Sequence, residues 1–264
     1  MADGLLAGKR GVILGIANDK SIAWACAQEC AAQGAELAFN YLGPLEKRVR
    51  GLAEQIPGTE VLECDVTKDE EIASFFAAIK EKWGTIDFVI HSVAFAERDD
   101  LKNPFVQTPR KNFALALDVS AYSLVGVCRE AAPLMTQGGS VVAMTYYGAE
   151  KVLPNYNVMG VAKAALEASC RYLANDLGPD GIRVNCVSAG PLRTLSASAI
   201  AGMRKMLKAN ADSAPLRRNT TVEDVAKSTV YLLSDMSSGV TGETHHVDCG
   251  YNVMGLTLTG EETE

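Results

Sequence analysis

Cysteine and histidine occur in this sequence, but not in the arrangements that metal sites or disulfide frameworks need. The 264 residues include seven cysteines and three histidines. The cysteines are scattered through apolar segments without a CxxC pair, and two of the histidines, His245 and His246, are adjacent. Neither spacing is typical of a zinc site. We therefore predict no metal site, and we expect reduced thiols that are mostly buried.

The sequence also lacks an excess of basic charge and any long hydrophobic run. Lys and Arg number 25 against 32 Asp and Glu, which gives a formal net charge of -7. Binding to a nucleic-acid backbone needs the opposite balance. No stretch approaches the roughly 20 apolar residues that cross a bilayer, and the apolar run at 11–17 favours a strand over a signal peptide. We predict a cytoplasmic protein that binds neither nucleic acid nor membranes.

Short apolar runs alternate with helical patterns along the chain. The runs predict strands at 11–16, 36–41, 60–64, 88–92, 140–145, 183–188 and 245–248. Amphipathic patterns predict helices at 21–33, 45–55, 69–82, 111–135, 155–177 and 222–234. Strands that are apolar throughout belong in a parallel sheet with helices on both faces. We predict an α/β fold with one domain over residues 1–264, built on a Rossmann-like, doubly wound parallel sheet of about seven strands.

The first predicted strand leads through Gly15 into a helix that starts near Ser21 and Ile22. In dinucleotide-binding folds a helix N-terminus at this point faces the pyrophosphate. The usual G-x-G-x-x-G pattern is absent, because Gly15 is the only glycine of the loop. Taken alone, the loop is equally well explained as a turn followed by an N-cap.

Other predicted strands end in residues that suit a nucleotide. Ligands of open α/β sheets bind beyond the carboxyl ends of the strands. Asp65 and Val66 follow the third strand, Ser92 and Ala94 end and follow the fourth, and the small residues 189–191 follow the sixth. Asp65 could instead cap the next turn, but all these features fall at one edge of the predicted sheet. That edge is therefore the predicted site for a nicotinamide dinucleotide.

The choice between NADH and NADPH depends on the second strand. It ends without the acidic residue that commonly holds the adenosine ribose. Lys47 and Arg48 lie beyond that end, where they could reach a 2′-phosphate or simply form a solvated helical turn. We favour NADH, with NADPH left open.

Three side chains near the fifth strand are candidates for catalysis. Tyr146 follows the strand, and the helix predicted at 155–177 carries Tyr156 and Lys163 nearly two turns apart, on one face. A phenol can donate to an oxygen that gains negative charge, and a nearby ammonium stabilises that charge. A packed tyrosine and a solvated lysine are the alternative. The helix is too apolar around Lys163 to face water, however, and a bound ribose would supply the polar partner that the lysine needs.

Together these motifs resemble the enoyl-acyl-carrier-protein reductases of the divergent short-chain dehydrogenase group, over nearly the whole chain. The resemblance rests on Gly15 with 21–23, on 146–150, on 154–163, and on 183–185 followed by 188–194. In particular, six residues separate Tyr156 from Lys163, whereas ordinary short-chain dehydrogenases would require the lysine at Gly160.

The resemblance implies reduction of trans-2-enoyl thioesters of acyl carrier protein with NAD(P)H, the last step of each fatty-acid elongation cycle. Hydride addition at Cβ leaves negative charge on the thioester oxygen, which Tyr156 hydrogen-bonds while Lys163 anchors the ribose. The cofactor contacts that it implies are Gly15, Ser21, Ile22, Asp65, Val66, Ser92, Lys163, Leu192 and Thr194. The implied substrate contacts are Ala94, Tyr146, Tyr156 and Met206. A homotetramer is also implied.

The stretch 192–210 is helix-capable and is predicted to form a lid over the substrate. The resemblance makes 195–206 a substrate-binding helix, and apolar residues recur there at helical spacing. Basic residues nearby are candidates for docking the acidic carrier protein, or else solvated helix charges: Arg193, Arg204, Lys205 and Lys208. Two positions depart from the family pattern, Leu42 at the adenosine end and Ala94, where glycine is common.

Two other functions stay open at this point. A carbonyl reductase, for example of 3-oxoacyl thioesters, would have tyrosine and lysine four positions apart, and Gly160 disfavours it. A non-catalytic sensor of the nicotinamide pool would have no need of Tyr156 and Lys163.

Overall fold

The structure, a computed structural model, describes residues 4–192 and 203–255. The strands in these ranges are β1 (Arg10–Leu14), β2 (Glu36–Tyr41), β3 (Glu60–Glu63), β4 (Phe88–His91), β5 (Gly139–Tyr146), β6 (Ile182–Ala189) and β7 (Thr244–Val247). The helices are α1 (Ile22–Ala32), α2 (Glu46–Ala53), α3 (Asp69–Trp83), α4 (Arg110–Leu117), α5 (Ser123–Ala131), α6 (Asn157–Leu177), α7 (Met203–Ser213) and α8 (Val222–Leu233).

All seven strands join one parallel sheet in the order β3-β2-β1-β4-β5-β6-β7. The chain builds outward from β1 in one direction and then returns to start the other half at β4. Ligands of doubly wound sheets bind beside the strand ends at such a reversal. The predicted doubly wound parallel sheet is confirmed.

The apolar strands are explained by a layer of helices on each face of the sheet. Alternate residues of β1 point to opposite faces, so that Val12 packs in the core with α3, α5 and α6. Its neighbour Ile13 packs in the core with α1 and α8. Because both faces are buried, a strand needs apolar residues at every position rather than at every second one.

The single helix predicted at 111–135 is wrong. A π turn at Asp118–Tyr122 separates α4 from α5. The turn lets serine hydroxyls reach the residues at and after the end of β4: Ser120 Oγ accepts from the Phe95 amide at 3.0 Å, and Ser123 Oγ lies 2.8 Å from His91 Nε2. Helical periodicity carries no signal for these tertiary bonds, which displace the regular helical ladder.

The start predicted for the helix at 155–177 is also wrong, and with it the placement of Tyr156 inside the helix. Tyr156 is the N-cap residue, and α6 begins at Asn157. The flanking residues Asn155 and Asn157 have left-handed backbone conformations, with φ of 64° and 44°. The left-handed backbone at Asn155, and again at Asn157 where α6 begins, keeps a regular right-handed helix from extending back through Tyr156.

The state of the cysteines can be compared with what their distribution in the sequence predicts. The seven cysteines are free thiols; six are buried and Cys249 is partly buried, which confirms the prediction of mostly buried thiols. Burial raises the pKa of the Cys26, Cys64 and Cys128 thiols to about 12.

Within residues 4–192 and 203–255, no helix combines the length and the apolar composition that crossing a membrane would take.

Candidate active site

A cleft of about 500 Å³ lies beyond the carboxyl ends of the strands, where the order of the sheet reverses. The predicted site residues that line it are Gly15, Ser21, Ile22, Ser92, Ala94, Tyr146, Tyr156, Lys163 and Leu192. Candidates from five separate stretches of sequence therefore meet in one cleft. We call the part near Gly15 and Ser21 the loop end, and the part near Tyr156 and Lys163 the tyrosine end.

Gly15 lets the loop after β1 pass very close to the end of β4. Its φ is +97°, and a Cβ there would lie 2.3 Å from the Ser92 carbonyl oxygen. Any other residue would clash with that backbone in addition to adopting an unfavourable conformation. The absence of a Cβ is also what lets a backbone contact a pyrophosphate closely.

Ser21 is the N-cap of α1, so the local alternative weighed from sequence is also true. Its Oγ accepts a hydrogen bond from the Trp24 amide at 3.2 Å and donates to the Asn18 carbonyl at 2.7 Å. The hydroxyl is thus engaged, while Ser21 and Ile22 still line the cleft. What the helix offers to an anion there is the amides and the positive dipole end of its first turn.

Asn40 is a residue of the loop end that sequence reasoning missed. It is buried in β2, where its Oδ1 accepts from the Gly15 amide and its Nδ2 donates to the Cys64 carbonyl, both at 2.9 Å. It therefore ties together the loops after β1 and β3. An asparagine inside an otherwise apolar strand was the available signal, since such a side chain must find partners.

Asp65 and Val66 do not line the cleft in this structure. Asp65 Oδ1 accepts from the Thr67 amide at 3.0 Å and from its hydroxyl at 2.8 Å, forming the turn that was the alternative interpretation. Val66 is buried in the core beside α3. Their contact with the adenine end of a cofactor stays a prediction.

The two predicted tyrosines pack against each other. The centroids of the Tyr146 and Tyr156 rings are 4.9 Å apart in an edge-to-face arrangement, and a Cβ at Gly148 would lie 2.3 Å from the Tyr156 ring. Burial raises the pKa of Tyr146 to about 12 and also raises that of Tyr156. Both phenols therefore stay protonated at neutral pH and can act as hydrogen-bond donors.

Lys163 is buried, with only 5% of its surface exposed. Its Nζ donates to the Met144 carbonyl at 2.7 Å, and burial lowers its pKa from 10.5 to about 8. An ammonium has three hydrogens to donate, so this bond leaves donors for a ligand in the cleft. The residues of this end therefore fit the ribose of a dinucleotide, as those of the loop end fit its pyrophosphate.

Gly160 marks a position where no side chain fits. A Cβ there would lie 2.7 Å from the Gly148 carbonyl oxygen. The lysine of this site therefore has to come from Lys163, one turn further along α6. This is a steric reason for the six-residue spacing seen in the sequence.

Glu167 is a second residue that sequence reasoning missed. It lies one turn after Lys163 on α6 and is buried; Thr145 Oγ1 donates to its Oε1 at 2.7 Å. Burial raises the pKa of this carboxyl, and its charge raises the pKa of Lys163 in partial opposition to burial. A carboxylate four residues after the lysine, on an apolar helix face, was the signal that could have revealed it.

An apolar cluster borders the tyrosine end. Leu101, Tyr156 and Met159 are its buried members, and Met206 packs against them. Met206 Sδ also accepts a hydrogen bond from the Tyr146 hydroxyl at 3.3 Å, so the predicted substrate contact lies beside the tyrosines. Such a surface suits an alkyl chain better than water.

The predicted lid is only partly covered by the structure. Residues 193–202, which include Arg193 and Thr194, lie outside the described residues, as does the side chain of Arg204. Lys205 and Lys208 are exposed on α7, and Lys208 pairs with Asp212 at 2.9 Å. The alternative of a solvated helix charge therefore accounts for Lys208.

A doubly wound parallel sheet, with a close-approach glycine after β1 and a buried tyrosine and lysine after β5, defines a nucleotide-dependent oxidoreductase of the short-chain class. A sequence model of the family described as enoyl-(acyl carrier protein) reductase matches residues 15–252. The NADH enoyl-acyl-carrier-protein reductase FabI of Rickettsia bellii is 58% identical over 256 residues, covering 97% of this chain and 98% of the relative. The same enzyme of Bacillus cereus is 54% identical over 254 residues, covering 95% and 99%. The chain belongs to the enoyl-acyl-carrier-protein reductase family.

Solved structures of the family superimpose closely on this fold. The Bacillus cereus enoyl-acyl carrier protein reductase, in complex with NADP+ and indole naphthyridinone, gives a TM-score of 0.94 at 53% identity, covering 96% of this chain and 100% of that one. The reductase of Anaplasma phagocytophilum, in complex with NAD, gives 0.94 at 50% identity, covering 97% and 98%. The fold and the relatives thus agree on the family.

Proposed function

We propose that this protein reduces the trans-2 double bond of enoyl-acyl-carrier-protein thioesters with NADH, the last step of the fatty-acid elongation cycle. The observation that carries the proposal is the packing of Tyr156 against Tyr146 in the cleft that Lys163 also lines, with Gly160 closed to a side chain by the Gly148 carbonyl. This arrangement disfavours a carbonyl reductase, which needs its lysine at Gly160.

The bound cofactor would supply the hydride for Cβ of the substrate, and a proton added at Cα, which comes ultimately from solvent, completes the reduction. The Tyr156 phenol donates a hydrogen bond to the thioester oxygen as that oxygen gains negative charge, and its raised pKa keeps the proton on the phenol. Lys163 holds the ribose and places a positive charge near the same oxygen. Tyr146 and Met206 cover the acyl chain, which they keep away from water.

We propose NADH as the cofactor, with NADPH as the weaker one. The relatives in the comparison are named as NADH enzymes, and one similar structure contains NAD while another contains NADP+. Near the loop end, the Arg48 guanidinium is exposed and donates to the Ala17 carbonyl at 3.3 Å. That bond reduces the freedom of Arg48 to pair with a 2′-phosphate.

The remaining assignments are part of the same proposal. Gly15, Ser21, Ile22, Asp65, Val66, Ser92, Leu192 and Thr194 contact the cofactor, and Ala94 and Met206 contact the substrate. The enzyme acts as a single-domain, cytoplasmic homotetramer. The homotetramer is proposed from the resemblance to the family alone.

The test is the oxidation of NADH, and separately of NADPH, with crotonyl-CoA. We expect turnover by the parent protein, a loss of about 100-fold or more in kcat/KM for Lys163→Ala, and a smaller loss for Tyr156→Phe. Lys227→Ala and Tyr172→Phe, which change exposed residues, are the matched controls. Dinucleotide binding without turnover of any enoyl thioester would favour the sensor, and turnover of 3-oxoacyl thioesters alone would favour the carbonyl reductase.

A further inference from the structure

The side chain of Asn157 joins two distant parts of the chain. Its Nδ2 donates to the carbonyl oxygens of Asp100 and Asn103, both at 2.9 Å. These acceptors lie in residues 97–103, which we call the wall segment. A single amide group therefore ties this segment to the start of α6.

Asn157 also directly follows Tyr156, on a strained part of the backbone. Its φ is 44°, and that of Asn155 is 64°. Left-handed conformations are costly for residues other than glycine, and asparagine adopts them most readily. Such strain persists only where surrounding contacts over-determine it. The two bonds from Asn157 are contacts of this kind.

The wall segment forms part of the cleft beside the tyrosine end. Glu97, Arg98 and Leu101 line the cleft. Leu101 is only 6% exposed and packs with Tyr156 and Met159 in the apolar cluster. The position of the segment thus determines how closely the apolar cluster surrounds a substrate bound next to Tyr156.

The observed position of the wall segment carries a cost. Asp100 is 6% exposed, and its Oδ2 is buried without a hydrogen-bond partner among the described residues. Burying a carboxylate oxygen in this way disfavours the observed position. A tie from outside the segment is needed to offset that cost, and Asn157 provides it.

We propose that Asn157 is a positioning residue that holds the wall segment against Tyr156 and so sets the acyl side of the cleft. Within the described parts of the chain its side chain bonds to the backbone carbonyls of the wall segment, so it acts on the substrate through Leu101 rather than by contact. The identity of that substrate, an enoyl thioester, rests on the function proposed above; the tie between the two segments does not.

Two substitutions remove the amide donors in different ways. Asn157→Asp keeps the size of the side chain and the tolerance for positive φ, but turns the donors into acceptors that face two carbonyls. Asn157→Gly relieves the backbone strain and removes the side chain without adding charge. Asn175→Asp, an exposed position near the other end of α6, is the control for the added charge.

For both variants we expect KM for crotonyl-CoA to rise about ten-fold, as the loss of a net hydrogen bond predicts. The Kd for NADH should stay within about two-fold, because the loop end is untouched. Hydrogen exchange should speed up at the amides of Asp100, Lys102 and Asn103, which bond within the segment. Asn175→Asp should match the parent in all three measurements.

Unchanged exchange in the wall segment together with an unchanged KM in both variants would overturn the proposal. So would a loss of NADH affinity equal to the rise in KM, because that would mean a general disturbance of the site. If the parent protein does not turn over crotonyl-CoA, the proposed function fails, and hydrogen exchange alone then decides whether Asn157 holds the segment.

Discussion

At the loop end of the cleft the polar side chains already have partners within the protein, whereas at the tyrosine end they are buried with donors to spare. Ser21 caps its own helix, and Asn40 bridges two loops. Tyr156 and Lys163, by contrast, are almost fully buried, and their pKa values are shifted in opposite directions by the same cause, desolvation. The loop end is therefore suited to binding through its backbone groups, and the tyrosine end to chemistry by buried, desolvated side chains.

This contrast predicts that the two ends respond differently to substitution. Binding by the backbone at the loop end depends on glycine and on the loops being held in place. The side chains there already have partners and gain no hydrogen bond from a ligand. Catalysis by the desolvated Tyr156 and Lys163 depends on their position to within about an ångström, since misplacement at that scale costs about two orders of magnitude in rate. Displacing Tyr156 should therefore separate catalysis from cofactor binding, whereas changing Lys163, which also holds the ribose, should affect both.

Gly148→Ala is the change with the largest expected effect. The new Cβ would lie 2.3 Å from the Tyr156 ring, so the ring must leave its present position against Tyr146. We expect kcat/KM for crotonyl-CoA to fall about 100-fold or more, with the Kd for NADH almost unchanged. Gly239→Ala, where a Cβ meets nothing within 4 Å, is the control.

An equal loss of NADH affinity in Gly148→Ala would break the separation of the two ends. It would mean that Tyr156 itself, and not Lys163 alone, holds the cofactor at this end. Thermal unfolding of the variant, compared with Gly239→Ala, distinguishes a local displacement from a general loss of structure.

The sequence reveals the two ends to different extents. The strands, the sheet class and the Tyr156 and Lys163 pair follow from periodicity and spacing, because these signals are local. The positive φ values of Asn155 and Asn157 and the π turn at Asp118–Tyr122 do not. Asn157 and the serines at the π turn make hydrogen bonds to residues tens of positions away in the sequence, and such partners leave no local signal.

The missed side chains have a common physical reason. Asn40 and Glu167 are both buried polar groups in apolar elements, and their partners lie on other elements. A sequence shows that such a group needs a partner but not which one. Ser21 presents a different case. It caps α1 and also lines the cleft, so both interpretations of the loop after β1 hold, and no local pattern could have separated them.

The second prediction concerns pH and belongs to the tyrosine end alone. The pKa of Lys163 is lowered to about 8, so its ammonium loses its proton as the pH rises through that value. The raised pKa of Tyr156 keeps the phenol neutral over the same range. We expect kcat/KM to fall about ten-fold for each pH unit above that pKa.

The control for this profile is Lys163→Arg, because a guanidinium keeps its charge throughout the range. Whatever activity the variant retains should stay level above the pKa of the parent lysine. Stability gives an independent check, because the free energy of unfolding should rise with pH where activity falls. Between about 8 and 10.5 the unfolded lysine binds more protons than the folded one, so the free energy of unfolding should rise with pH more steeply in the parent than in Lys163→Met. A level activity profile in the parent would show that the charge on Lys163 is not needed.

The smallest expected effect is at the loop end, in Asp65→Asn. The Asp65 carboxylate accepts from the Thr67 amide and hydroxyl, and an asparagine Oδ1 can accept the same two bonds. If Asp65 contacts the cofactor through its backbone while its carboxylate serves this turn, the Kd for NADH should change less than about three-fold, whereas Asp65→Ala should lower the free energy of unfolding by about 1 kcal/mol. Isothermal titration with NADH and denaturant unfolding measure the two quantities. A rise of ten-fold or more in Kd for Asp65→Asn would instead assign the carboxylate a direct contact with the adenine end, and the loop end would then rely on a side chain as much as the tyrosine end does.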